Sequence, residues 1–328
     1  MEGATSSTYS GEITAQTFGG HVDADDGASR MDRLKQMIAN GGPLKEDYEE
    51  LNRIIDSIDC EGVDSAEHEL LNIITPVLVR NTMQGHAFHK PHGYAGDYEI
   101  IDKIYTYWHS PDPGLRKWDE FFHCQDAVVA VRNRKQYLID LLHQIERSRN
   151  LEGERSLKVL NVGSGPARDV REYFESNPDS IASFDCIEVD RNAIQYANRV
   201  CAPYVDRIDF INKNIFRFRS KERYDLIWSA GLFDYLNDKQ FETLLARLMS
   251  HLKEDGILVI GNFARGNPSR SYMEKFGEWF LNHRTEEELR TLAERAGVRR
   301  RSIQVSSEER KVNLFLHVDK SDRSAWSS

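Results

Sequence analysis

Two stretches of this chain concentrate groups that can do chemistry. The first is residues 86–97, His-Ala-Phe-His-Lys-Pro-His-Gly-Tyr-Ala-Gly-Asp. Three histidines, a lysine, a tyrosine and an aspartate stand among two glycines and a proline. That density of proton-carrying groups in a broken segment reads as a functional loop held by a scaffold. A structured connection whose histidines cap helices is the alternative. The second stretch is residues 157–168, Leu-Lys-Val-Leu-Asn-Val-Gly-Ser-Gly-Pro-Ala-Arg. A short apolar run ends in a glycine turn, and a helix is expected from residue 168. Glycine lets the backbone turn sharply and approach a ligand closely. Strand, glycine turn and helix together make a nucleotide-binding corner.

The corner's chemistry can be narrowed. It reads Gly163-Ser164-Gly165-Pro166, not the Gly-x-Gly-x-x-Gly of dinucleotide sites. Pro166 suits an early helix position and removes an amide donor that a pyrophosphate would want. A nucleoside without phosphates fits better. No Gly-x-x-x-x-Gly-Lys-Ser/Thr occurs, which argues against a nucleoside triphosphate. Asp190 closes the next apolar run, where a carboxylate can accept both hydroxyls of a ribose. His86, His89 and His92 would converge on a metal ion only from a regular helix, which Pro91 and Gly93 oppose. No metal is assigned. Cys60, Cys124, Cys186 and Cys201 form no Cys-x-x-Cys pair, so neither a zinc nor a redox motif is indicated.

Two regions must position these groups. Residues 1–29, rich in Ser, Thr, Gly, Ala and Asp, are expected to be a disordered tail. Residues 30–150 are expected to form a helical substrate or lid domain. Leu34, Met37 and Ile38 share a face, and Leu51, Ile54, Ile55 and Ile58 repeat at helical spacing. Asp64 or Ser65 caps the next helix, in which Pro76 marks a kink or break. Residues 128–145 read as a long amphipathic helix. From 151 to 328, strands alternate with helices. Strands are expected at 157–162, 184–189, 208–211, 224–228, 257–260, 303–305 and 312–318. Helices are expected at 168–175, 191–200, 241–252 and 286–296, with Thr285 and Glu288 as a capping box and a turn at Glu254-Asp255-Gly256. Such alternation makes an α/β, mostly parallel sheet covered by helices.

The net charge of -10 argues against a nucleic-acid partner. The basic clusters at Arg132, Arg134 and Lys135 and at residues 299–301 read as solvated faces. No stretch approaches the roughly 20 apolar residues of a membrane span. The N-terminus carries no secretory pattern, so a cytoplasmic location is expected. Oligomeric state leaves no legible mark.

Residues 160–168, Ile187-Glu-Val-Asp190, residues 224–231 and the 252–258 segment occur in the order found in class I S-adenosylmethionine-dependent methyltransferases, which this half of the chain resembles. The resemblance implies a Rossmann-like seven-stranded sheet with an antiparallel final hairpin, and S-adenosyl-L-methionine as cofactor. Carried over residue by residue, Gly163, Ser164 and Gly165 would pack on the methionine part. Asp190, with Arg191 beside it, would bind the ribose. Asn214 and Ile215 would flank the adenine, and Ser229, Ala230 and Gly231 would line the floor. Many relatives have aspartate where Asn214 stands, and an asparagine carbonyl can still accept from the adenine amino group.

Residues 90–97 and their helical surround are similar to a bacterial group named for extracellular-factor biosynthesis, which makes 3-hydroxy fatty acid methyl esters. That resemblance implies a small-molecule acceptor, with a carboxylate as the atom group methylated. Amine, hydroxamate or phenol acceptors, RNA or protein methylation, and a non-catalytic cofactor-binding regulator are the alternatives. The 86–97 loop would fold over the cofactor, with Tyr94 and Asp97 touching it. His89, His92, Tyr94 and Arg265 would hold the acceptor, or one histidine would act as base near neutral pH.

Overall fold

The computed structural model describes residues 24–57, 65–151 and 156–320. Seven helices come first: α1 Ala24–Ala39, α2 Tyr48–Ser57, α3 Ser65–Leu78, α4 Met83–His89, α5 Tyr98–Tyr105, α6 Arg116–Cys124 and α7 Asp126–Leu151. Then come β1 Leu157–Val162, α8 Arg168–Ser176, β2 Ala182–Glu188, α9 Arg191–Val200, β3 Ile208–Asn212 and β4 Tyr224–Ser229. The chain continues with α10 Asp238–Met249, β5 Leu252–Phe263, α11 Arg270–Gly277, α12 Glu286–Arg295, β6 Ile303–Ser307 and β7 Asn313–Asp319.

The strands form one sheet in the order β3-β2-β1-β4-β5-β7-β6. The first five pair in parallel, and β7 runs antiparallel to both β5 and β6. Strand order reverses between β1 and β4, and ligands bind at the carboxyl side of such a switch. Helices cover both faces. Phe241, Leu244, Leu245 and Leu248 of α10 and Leu289 and Leu292 of α12 pack on one face. On the other, Leu138 and Leu142 of α7 and Val170, Tyr173 and Phe174 of α8 meet Trp228 and Phe315. A third core joins α1–α6 to the first turns of α7 and to Tyr272, Met273 and Phe276 of α11. Helix α7, about 39 Å long at 1.5 Å per residue, therefore belongs to two cores.

Several sequence expectations are corrected. α1 begins at Ala24, inside the expected tail. Residues 1–23, Ile58, Cys60 and Asp64 lie outside the described residues. Residues 86–89 are helical, because Thr82 caps α4 by accepting from Gly85 N. Pro76 falls in the last turn of α3, which ends two residues later at Leu78. α10 starts earlier than expected, at an Asn237/Gln240 capping box. Glu254 to Gly256 belong to β5 and not to a turn. Gly256 lies so close to the Tyr224 carbonyl that a Cβ would stand 2.7 Å from it. Helix α11 has no counterpart among the expected elements.

His317 of β7 is buried, with Nε2 2.8 Å from the Tyr137 hydroxyl. Burial pushes its pKa down to about 4. The unfolded imidazole titrates near 6.5. The folded state therefore refuses a proton that the unfolded chain takes, and stability is lost as pH falls from about 6.5 towards 4. At pH 5 the single-group cost is about 2 kcal/mol. In urea titrations, His317→Gln should shrink the stability drop between pH 7 and pH 5 by about that amount. An undiminished drop would show that His317 does not titrate in this way.

Candidate active site

The glycine corner sits at the switch point. Gly163 and Gly165 adopt φ +67° and +51°, the left-handed region that glycine enters freely. Gly163 N donates to the Ile187 carbonyl, and Gly165 N donates to Glu188 Oε2 at 3.1 Å. The end of β2 thereby holds the corner in place. Pro166 lies in the turn ahead of Ala167, which caps α8 at φ +51°, so the proline precedes the helix and is not part of it.

Above the corner lies a cavity of about 700 Å³, lined more by apolar than by polar surface. Gly163, Ser164, Gly165 and Asn161 form one side, and Glu188, Val189 and Asp190 another. Lys213, Asn214, Ile215 and Phe216 follow β3, and Ala230, Gly231 and Leu232 follow β4. Pro166, Asp169, Ile187, Trp228, Lys90, residues 93–96, Tyr98, Ile101, Tyr105, Arg134, Tyr235, Glu278 and Phe280 complete the wall.

Residues 90–97 cover this cavity, and their fastenings explain the residue types. Lys90 closes α4 at φ +45° and donates to Glu278 at 2.9 Å. The Tyr94 hydroxyl donates to Asp190 Oδ2 at 3.0 Å. The Tyr235 hydroxyl donates to the Ala95 carbonyl and accepts from Trp279 Nε1. Gly96 packs at φ +68° so tightly that a Cβ would stand 2.5 Å from the Tyr235 hydroxyl and 2.7 Å from the Trp279 ring. Asp97, 1% exposed, caps α5 by accepting from Glu99 N and Ile100 N. Arg168, just past the corner, forms a two-bonded ion pair with Asp102 of α5 at 2.6 and 2.9 Å. Tyr196 of α9 donates to the same carboxylate.

Of the residues singled out by sequence, Tyr94, Gly163, Ser164, Gly165, Asp190, Asn214, Ile215, Ala230 and Gly231 converge on the cavity. Six others point elsewhere. His89 Nε2 donates to the Val79 carbonyl. His92 Nε2 donates to Glu99, while its Nδ1 faces the Tyr98 hydroxyl. Asp97 is spent on its helix cap and on His86. Arg191 donates to Asn212 from the first turn of α9. Ser229 is fully buried beneath the floor and donates to the Val162 carbonyl. Arg265 lines a separate polar cleft with Arg270, Arg284 and Arg295 and pairs with Glu288. The ligand atoms of His86, His92 and Glu99 lie within 4.8 Å of one another. The Lys103 ammonium stands 3.0 Å from both His86 Nδ1 and Glu99 Oε1, where it already supplies the positive charge.

Sequence reasoning missed Asn161, Glu188, Asp169, Arg134, Tyr235 and Phe280. Asn161 had a signal, as a polar break in a buried strand. Burial pushes Asp169 up to about 6 and Asp234 likewise to about 6. Tyr94 is pushed upward by burial and then by its bond to Asp190, so it remains a donor.

Residues 159–256 match the model of a family described as a methyltransferase domain. Among solved structures, a possible exported protein from Bordetella parapertussis is similar over 91% of this chain and 99% of its own, with 17% identity and a TM-score of 0.60. Magnesium protoporphyrin IX methyltransferase from Synechocystis PCC 6803, crystallised with bound SAH, covers 68% of this chain and 98% of its own at 12% identity and a TM-score of 0.45. The 1,6-didemethyltoxoflavin-N1-methyltransferase of Burkholderia thailandensis covers 56% and 77% at 18% identity and a TM-score of 0.41. No curated protein matches the sequence. Among the described residues, no helix is long and apolar enough to cross a membrane.

The cavity fits a nucleoside-bearing methyl donor. Asn161 Nδ2 and Ser164 Oγ are buried on its wall without a hydrogen-bond partner among the described residues, and a buried polar atom of this kind calls for a ligand or water. Two carboxylates, Glu188 and Asp190, stand at the end of β2.

The packing of Gly96 supplies a test. Gly96→Ala forces a Cβ against Tyr235 and Trp279 and a strained φ. Amide exchange of residues 90–97 should quicken about tenfold or more, while β1 and β4 keep their protection. Unchanged exchange in the 90–97 segment would mean that this contact does not hold the cover down.

Proposed function

We propose that this S-adenosylmethionine-dependent methyltransferase methylates a carboxylate oxygen of a small acid with an apolar body, such as a hydroxy fatty acid. The composition of the cavity wall carries the reading. Among the described residues it includes no histidine, and Ile101, Phe216, Trp228, Leu232 and Phe280 give it an apolar character. A carboxylate is already a nucleophile at neutral pH and needs orientation more than a base. A hydroxyl or protonated amine would need a proton acceptor within reach.

When bound, the donor supplies a methyl group on a sulfonium sulfur, which is strongly electrophilic. The chain's own residues orient the two reactants. Gly163 and Gly165 keep the corner backbone free of side chains. Glu188 and Asp190 offer carboxylate oxygens to the ribose, Asn214 and Ile215 flank the base, and Ala230 and Gly231 form the floor. Asn214 Oδ1 already accepts from Phe216 N, so an adenine amino group would use its second lone pair. Tyr94 roofs the site as a protonated donor and helps to exclude water. His89 and His92 act through the cover, by fixing the segment that carries Tyr94. Phe280, 63% exposed, and Val189 offer an apolar rim on which the acceptor's hydrocarbon part would lie.

A second reading rests on Asp169. Asp169 lines the cavity, and burial pushes its pKa up to about 6, which suits a general base for a hydroxyl or amine acceptor.

One experiment separates the two. The protein is incubated with labelled S-adenosylmethionine and a panel of 3-hydroxy acids of increasing chain length, simple phenols and amines. The carboxylate reading expects methyl esters, rates rising with chain length, a level rate between pH 6 and 8, and an Asp169→Asn variant within about tenfold of wild type. Methylated phenols or amines, with Asp169→Asn down by about a hundredfold or more, would replace it with the second reading.

A further inference from the structure

Helix α7 carries a charged residue where its apolar stripe faces inward. Val131 and Leu138 stand three residues before and four after Arg134, and all three are buried. Arg134 is 7% exposed, and its guanidinium lies on the cavity wall. Nη1 donates to the Ala230 carbonyl at 3.0 Å. Nε has no partner among the described residues, and no carboxylate there pairs with this guanidinium. Burial works against its charge, but the Tyr105 phenol, then Asp234 and Tyr235, outweigh it and leave the pKa raised. A buried guanidinium with an unfilled donor still calls for an acceptor. Gly231 leaves its face open, since a Cβ there would stand 3.2 Å from Nη2. Asn161 Nδ2 and Ser164 Oγ, at the end of the neighbouring strand β1, are also buried on the same wall and unpartnered among the described residues.

We propose that Arg134 is the anion-binding residue of this cavity and that its ligand is a carboxylate. The inference rests on the methyltransferase reading and adds a residue to it. A carboxylate matches the guanidinium in charge and plane. A phosphate does not suit the place: Asp169, Glu188 and Asp190 stand on the same wall and would repel a second negative charge. The carboxylate has two available sources, the amino-acid end of the methyl donor and the acid group of the acceptor.

Calorimetric titration distinguishes them. Wild type, Arg134→Gln and Arg134→Lys are titrated with S-adenosylhomocysteine and with 5′-methylthioadenosine, which lacks the carboxylate. Each is also titrated with decanoate, with and without saturating S-adenosylhomocysteine. If the donor's carboxylate is held, Arg134→Gln weakens S-adenosylhomocysteine about tenfold or more and spares 5′-methylthioadenosine. If the acceptor's is held, only decanoate weakens. In either case Arg134→Lys recovers part of the loss, and thermal unfolding confirms that the variants are folded. Equal loss for every probe, or no loss for any, overturns the assignment. Failure of wild type to bind either nucleoside would instead sink the methyltransferase reading, and decanoate alone would then decide the role of Arg134.

Discussion

The site depends on the bond between Arg168 and Asp102. Arg168 opens the helix after the glycine corner, and Asp102 stands 66 residues earlier, in α5. Both oxygens of Asp102 are engaged, one of them also by the Tyr196 hydroxyl. A buried ion pair adds little net stability over an apolar substitute, but losing one partner strands the other charge. Its value here is geometric. It fixes α5 against α8 and α9, and the start of α5 is the end of the cover. Asp97, at that start, caps α5 and holds His86 of α4. The cover is thus tied at its two ends to α4 and α5, and α5 is itself clamped to the corner.

Packing repeats this coupling on a larger scale. Helix α7 gives Ala127 to Val131 to the helical core and Leu138 to Leu142 to the sheet core. Arg134 falls between, where the two cores leave a cavity. Helix α11 comes from the sheet half but buries Tyr272, Met273 and Phe276 among the N-terminal helices. Trp279, just beyond it, reaches Tyr235 beneath the cover. The cavity exists because two cores share a wall, so its shape depends on both.

What the sequence made legible was local. The glycine corner, Asp190, the strand ends and the Thr285 capping box each follow from neighbouring residues, and each lies where expected. The density of histidines in residues 86–97 falls on a segment of which Lys90 and residues 93–96 line the cavity, but density carries no direction. Once Thr82 caps α4, helical geometry turns His86 to Asp97 and Lys103 and His89 to the Val79 carbonyl. Arg265 does follow β5, as read. That strand lies on the far side of β4 and pairs with β7, so its end opens on another cleft. Arg134 reads as part of a basic cluster, although its spacing from Val131 and Leu138 puts it on the buried stripe. Asn161 likewise breaks an apolar run, and a buried amide there needs a partner. Tyr235 and Phe280 could not be placed, because nothing local says that residues 278–280 return to the mouth of the cavity.

The cover and the proposed ribose position share one carboxylate. Asp190 uses Oδ1 to accept from Asn192 N at the start of α9 and Oδ2 to accept from Tyr94. Each carboxylate oxygen has two lone pairs, so neither bond closes Asp190 to a further donor. A ribose hydroxyl added there would meet an oxygen already oriented by the helix cap and roofed by the Tyr94 ring. The Tyr94 proton is held by burial and by the charge of Asp190 itself. Under the proposed function, the carboxylate that receives the donor is therefore also the one that keeps the roof in place. The histidines that first drew attention to residues 86–97 serve that same end from behind, by holding the segment's ends to α4 and α5.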